Sequence, residues 1–181
     1  MNLVEMAIVF AAEAHKHQTR KGTEIPYITH PFAVGMMLQS AGCSEEVVAA
    51  GILHDTLEDT EATYEGLVKE FGVRVADLVV AASENDKSLS WEERKQHTID
   101  GLKGATIEEM QVIVADKLHN LRSIRTDLEE HGNIIWQRFN RGKEKQQWYY
   151  GNIVKALTPR KEDFKLIGEL EEEVKAVFGT V

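Results

Sequence analysis

The chain has 181 residues, 43% of them apolar and 28% charged, which is enough apolar material for one sizeable core and excludes disorder as the main state. Its 21 basic and 30 acidic side chains leave a formal charge of −9, which excludes a general nucleic-acid coat but not a small phosphorylated ligand held by local basic residues. The lone cysteine, Cys43, excludes an intramolecular disulfide and any CxxC zinc pattern, and no apolar run reaches the roughly 18 residues of a membrane span.

Apolar positions Leu3, Met6, Ala7, Phe10, Ala11 and Ala14 recur at i, i+3 and i+4 and predict an amphipathic helix over 3–16. No basic-then-apolar leader precedes it, and with one cysteine this fits a reducing, cytoplasmic setting. A loop follows over Thr19–Pro26. Thr29-His30-Pro31 then opens a helix that Gly42 should stop. Ser44 can cap the next, with Glu45 and Glu46 in its first turn. Residues 47–53 are apolar all round, so this helix belongs at the centre of the core. Further helices fit 64–71, stopped by Gly72, and 73–82. Ser90-Trp91-Glu92-Glu93 and Thr106-Ile107-Glu108-Glu109 match the capping box and start helices near 91–102 and 107–128. A helix over 133–156 and a last one after Thr158-Pro159, to about Phe178, complete an all-α chain of eight or nine helices without a strand. Residues 1–181 are expected to form one domain.

The informative places are those where an apolar helix suddenly carries charge. In Ile52-Leu53-His54-Asp55-Thr56-Leu57-Glu58-Asp59-Thr60, His54 and Glu58 are i, i+4, as are Asp55 and Asp59. Clustered carboxylates repel one another and are costly to bury, and a divalent cation would offset both costs. Asp116 likewise ends the apolar run Val112–Ala115, with Asn120 one turn on, and His30 begins its helix. Three helices could bring His30, His54, Asp55 and Asp116 together, and two imidazoles with two carboxylates suit Mn, Fe or Zn better than an all-oxygen Mg or Ca site. Spacing alone leaves a second reading open, with His54 a hydrogen-bonded core histidine and Asp55 and Asp59 caps or surface groups.

HExxH, GxxxxGK and GxSxG are absent, which removes the zincin, P-loop and serine-hydrolase readings. Trp136, Phe139, Trp148, Tyr149 and Tyr150 read as core or oligomer interface. His119 reads as structural, and His15, His17, His97 and His131 show no partner pattern. Arg20 and Lys21 can hold a phosphate, or they can be a simple surface loop.

Taken with Ala14-His15 through Gln18 and Arg20-Lys21-Gly22, then Pro26–Pro31, Ile52–Thr60 and Ala115–Arg122 in that order, the sequence resembles the hydrolase domain of the RelA/SpoT family, a branch of the HD-domain phosphohydrolases. Trp148-Tyr149 through Leu157 fits the closing helix. The resemblance covers nearly the whole chain, which ends where that hydrolase domain ends, as in the small single-domain alarmone hydrolases.

The resemblance implies an all-α HD-domain bundle that hydrolyses (p)ppGpp to GDP or GTP and pyrophosphate, usually with Mn²⁺. It implies that His30, His54, Asp55 and Asp116 are metal ligands and that Glu58 and Asp59 are catalytic. It assigns Arg20, Lys21 and Asn120 to the nucleotide, with Ser123 where threonine is usual. Gly22 replaces a frequent serine, and Ser83-Glu84-Asn85-Asp86-Lys87 only approximates a Val-Thr-Asp-Asp-Lys-like segment; both bear on substrate choice. The partner implied is a small-molecule nucleotide, with no nucleic acid and no membrane, and a homo-oligomer is compatible with the sequence. Two alternatives stand beside this one: a phosphohydrolase of another nucleotide such as NADPH, and a non-catalytic alarmone-binding sensor. The segment 84–104 reads as a lid over the site or as a surface connection.

Overall fold

Five of the ten α-helix starts among the described residues are capped by short polar side chains. In the computed structural model, which describes residues 1–84 and 86–179, Asn2 accepts a hydrogen bond from the Glu5 amide and opens α1, Leu3–Ala14. Asn85 of the approximate segment and the last two residues of the expected domain lie outside the described residues. Helix α2 spans Thr29–Ser40, and Ser44 caps α3, Glu45–Leu53. A single turn, α4, covers Thr56–Asp59. Thr63 caps α5, Tyr64–Phe71, and Gly72 at φ +86° turns the chain into α6, Val73–Ala82. The capping boxes at Ser90 with Glu93 and at Thr106 with Glu109 form as expected and begin α7, Trp91–Gly104, and α8, Ile107–His131. Helices α9, Gly142–Leu157, and α10, Lys165–Phe178, follow. Among the described residues nine α-helices run for eight residues or more, the remaining one being α4. No strand forms among them, only an isolated bridge between Thr19 and Pro26. No helix is long and apolar enough to cross a membrane.

Helix α3 is the centre, as its all-round apolar sequence predicts: Val47 through Leu53 are all buried, and α1, α2, α6 and α8 pack around it. The α2–α3 contact is unusually close. A Cβ on Gly35 would meet Ile52 Cγ1 at 2.4 Å, and one on Gly51 would meet Leu38 Cδ1 at 2.4 Å. Two glycines facing opposite helices let the backbones approach until larger side chains interlock.

The expected helix over 133–156 is not continuous. A 3₁₀ segment runs Gly132–Arg138, Phe139 is extended (φ −98°, ψ 127°), and Gly142 at φ +65° lets the chain turn before α9. Burial of Ile135 and Trp136 holds this segment against the core in spite of its helix-like periodicity. The last helix similarly begins at Lys165, after a 3₁₀ segment over Thr158–Asp163 that contains Pro159. Helix α1 stops two residues short of expectation because His15 and Gln18 turn inward to bond each other. Helix α8 runs three residues longer, to Gly132 at φ +67°.

Candidate functional site

His30 lies in the first turn of α2, His54 caps the C-terminus of α3, Asp55 precedes α4, and Asp116 sits midway along α8. The fold brings these four side chains to one point. His30 Nε2 lies 3.1 Å from Asp116 Oδ1 and 3.6 Å from Asp55 Oδ2. His54 Nε2 lies 2.9 Å from Asp55 Oδ2 and 3.5 Å from Asp116 Oδ1. One ligand atom each from His30, His54 and Asp116 fall within 4.8 Å of one another, as a metal site requires.

Outer partners aim each group inward. His54 Nδ1 lies 2.7 Å from the Gly51 carbonyl and donates to it, which leaves Nε2 as the nitrogen turned to the centre. His30 Nδ1 pairs with His119 Nδ1 at 2.7 Å. The Tyr27 hydroxyl donates to Asp55 Oδ2 at 2.6 Å. Asn120 Nδ2 and Lys117 Nζ donate to Asp116 Oδ1 and Oδ2, each at 2.7 Å.

The electrostatics favour a cation at the centre. Burial lowers His30, and burial beside His30 and Arg20 lowers His119 to about 4, so both rings are neutral near pH 7. Burial also works against a charge on His54, but Asp55 and Asp116 outweigh it and raise that ring well above its ordinary value. Burial would raise Asp55; the positive charge of His54 close beside it holds it at about 2 instead. Asp116 is likewise held low, Lys117 and His54 overcoming its burial. The fit to a metal rests on His54 Nε2. It is buried and, though close to two carboxylates, is aligned with neither as a hydrogen bond. A divalent cation would satisfy that nitrogen and both carboxylates together, and two imidazoles with two carboxylates suit Mn, Fe or Zn.

Glu58 and Asp59 on α4 line the same cavity, which has a volume of about 220 Å³. Glu58 Oε2 accepts the Glu84 amide at 3.1 Å, and Lys87 Nζ reaches the Glu58 carbonyl at 2.5 Å. The Asp59 carbonyl accepts from Gln18 Nε2 at 2.7 Å, and Gln18 Oε1 lies 2.7 Å from His15 Nδ1. Burial first, then neighbouring carboxylates, raise both acids. A carboxyl raised in this way is shifted toward the neutral pH at which a proton-transfer group works best.

A larger cavity of about 600 Å³ adjoins through Tyr27, Lys95, Lys117 and Asn120. Arg20, Lys21, Asn120 and Ser123 all line it, so the four nucleotide-contact candidates share one wall. The Arg20 guanidinium lies 5.7 Å from the Tyr27 ring centroid and donates to Asn120 Oδ1 at 3.1 Å. Of the aromatic set, Trp136, Tyr149 and Tyr150 are buried as expected, while Phe139, Tyr149 and Tyr150 also form cavity wall. Sequence reading missed Tyr27, Lys95 and Lys117 as site residues and left His119 structural. Tyr27 and Lys117 stand beside candidate ligands within the resembling segments; for Lys95 the sequence carries no signal.

Two imidazoles and two carboxylates gathered from three directions in an all-α bundle, with two further acids in the cavity, define the centre of a candidate metal-dependent hydrolase. The HD domain family model matches residues 7–144, and the chain belongs to the HD domain family. A guanosine-3′,5′-bis(diphosphate) 3′-pyrophosphohydrolase MESH1 of Danio rerio is 41% identical over 118 residues, covering 64% of this chain and 65% of that one. The protein of the same name from Xenopus tropicalis is 37% identical over 158 residues, 86% of this chain and 84% of that one. The bifunctional (p)ppGpp synthase/hydrolase SpoT of Escherichia coli K12 is 37% identical over 127 residues, so the chain spans 18% of its length. Among solved structures, lmo0812 from Listeria monocytogenes EGD-e superposes with a TM-score of 0.78 at 42% identity, covering 83% of this chain and 99% of that one. A metazoan SpoT orthologue that hydrolyses ppGpp superposes with a TM-score of 0.82 at 28% identity, covering 100% and 98%.

Proposed function

We propose that the protein removes the 3′-diphosphate of (p)ppGpp in a Mn²⁺-dependent reaction, giving GDP or GTP and pyrophosphate. The observation that carries this reading is the convergence of His30, His54, Asp55 and Asp116, with His30 and both carboxylates lining, beside Glu58 and Asp59, a cavity that adjoins a basic and aromatic one. The named activities of the relatives support the same substrate.

In this reading His30, His54, Asp55 and Asp116 hold the ion, which supplies Lewis acidity and neutralises phosphoryl charge when bound. Glu58 orients a water and takes its proton; its raised pKa suits a base that must later give that proton up. The water oxygen bonds to the 3′-phosphorus, the bond from phosphorus to the ribose 3′-oxygen breaks, and Asp59 supplies the proton that this oxygen needs. Arg20 and Lys21 hold the nucleotide, with Arg20 able to stack on a base or fork to a phosphate. Asn120 and Lys117 keep Asp116 aimed at the centre, and Ser123 lines the nucleotide's path.

The test is ppGpp hydrolysis by chelator-treated protein with and without Mn²⁺, the products separated by ion exchange, with NADPH run in parallel. Mn²⁺-dependent release of GDP and pyrophosphate is expected. Release of phosphate from NADPH alone would move the substrate, and no release from metal-replete protein would leave only a sensor.

A further inference from the structure

The cavity that must receive the 3′-diphosphate is strongly acidic. Asp55, Glu58, Asp59, Glu84 and Asp116 line it, and among its described lining residues only Lys95 and Lys117 are cationic. Lys117 is committed to Asp116. Lys95 is placed differently. It lines both the 220 Å³ cavity and the 600 Å³ one, so its ammonium stands at the junction that a nucleotide spanning both would cross. Its Nζ lies 4.9 Å from the Tyr149 ring centroid and 5.8 Å from that of Trp91, and the side chain is 18% exposed. These rings hold the ammonium at the junction without neutralising it.

Lys95 pairs with Glu84, but Arg94 holds the same carboxylate, NH1 to Oε2 at 2.9 Å. Lys95 can therefore turn to a phosphate without leaving Glu84 unpaired. The Glu84 amide, meanwhile, still holds Glu58.

From this placement we infer that Lys95 determines specificity for a 3′-diphosphate over a 3′-monophosphate, by exchanging Glu84 for the outer phosphate of the leaving group. The inference rests on the proposed function and names the group that reads the length of its 3′ chain.

The test compares Mn²⁺-loaded wild type, Lys95→Met and Lys95→Arg on guanosine 5′-diphosphate 3′-diphosphate and on the 3′-monophosphate analogue. A charge-assisted bond made to one substrate only should cost Lys95→Met about tenfold to a hundredfold in kcat/KM on the diphosphate. The monophosphate should change much less, and Lys95→Arg should restore most of the preference. An equal loss on both substrates, or no loss on either, overturns the inference. If the wild type hydrolyses neither, the proposed function fails, and binding of inorganic pyrophosphate to the Mn²⁺-loaded proteins decides Lys95 instead. Weakening of about tenfold in Lys95→Met supports it, and equal binding ends it.

Discussion

Asp55 serves three neighbours with one oxygen: Oδ2 accepts the Tyr27 hydroxyl and faces the Nε2 atoms of His30 and His54. Removing it should abolish both ion binding and turnover. Asp55→Ala is expected to lose at least about a thousandfold in kcat and to retain no stoichiometric metal by elemental analysis. An active, metal-replete variant would refute the ligand assignment. His54 makes a separate prediction with a definite sign. Without metal, Asp55 and Asp116 keep it protonated above its ordinary range, and an ion can bind only the neutral ring. Metal binding near neutral pH should therefore release a proton, and affinity should rise with pH up to the raised pKa. Calorimetry in buffers of different ionisation enthalpy counts that proton. A binding heat independent of buffer would show that His54 is already neutral.

At the scale of elements, the close α2–α3 contact fixes the distance between His30 and His54, since each helix ends at one of them. Gly51→Ala would push a methyl into Leu38 and Val34 and should cost about 1–3 kcal/mol. At this chain length that lowers Tm by about 2–4 °C for each kcal/mol. Metal affinity should fall with it, because the two histidines are driven apart; unchanged Tm and affinity would show that Leu38 simply moves aside. Much of this frame is legible in the sequence. Ser90 with Glu93 and Thr106 with Glu109 mark two helix starts through local hydrogen bonds, and the all-apolar 47–53 marks the central helix. The break before α9 is not legible, because burial of Trp136 and the turn at Gly142 are tertiary facts beneath a helical period. The candidate ligands show as charges interrupting apolar runs. Their supports do not: His119 meets His30 across 89 positions and Tyr27 meets Asp55 across 28, separations that no local pattern encodes.

Over the whole molecule, the candidate ligands come from opposite parts of the chain. Asp116 is on the long helix α8, which packs on α2, α3, α6 and α10, so an ion there would tie the two halves of the bundle together. Chelation should lower Tm and added Mn²⁺ should raise it, the bound ion stabilising the fold by about 2.7 kcal/mol when the free ion is a hundredfold above its dissociation constant. Thermal melts of wild type and Asp116→Ala check this. A metal response that survives in Asp116→Ala would place the ion elsewhere.

The Arg20–Asn120–Asp116 chain carries a consequence of its own. Arg20, on the wall of the larger cavity, donates to Asn120 Oδ1, and Asn120 donates through Nδ2 to a carboxylate of the metal centre. A nucleotide that recruits Arg20 changes what Asn120 offers to Asp116, so the two ligands do not bind independently. Thermodynamic reciprocity then demands one factor in both directions. Whatever multiple a bound non-hydrolysable nucleotide adds to Mn²⁺ affinity, Mn²⁺ must return to the nucleotide, and Asn120→Ala should lower that multiple by the share that this chain carries, leaving the direct attraction between ion and phosphate.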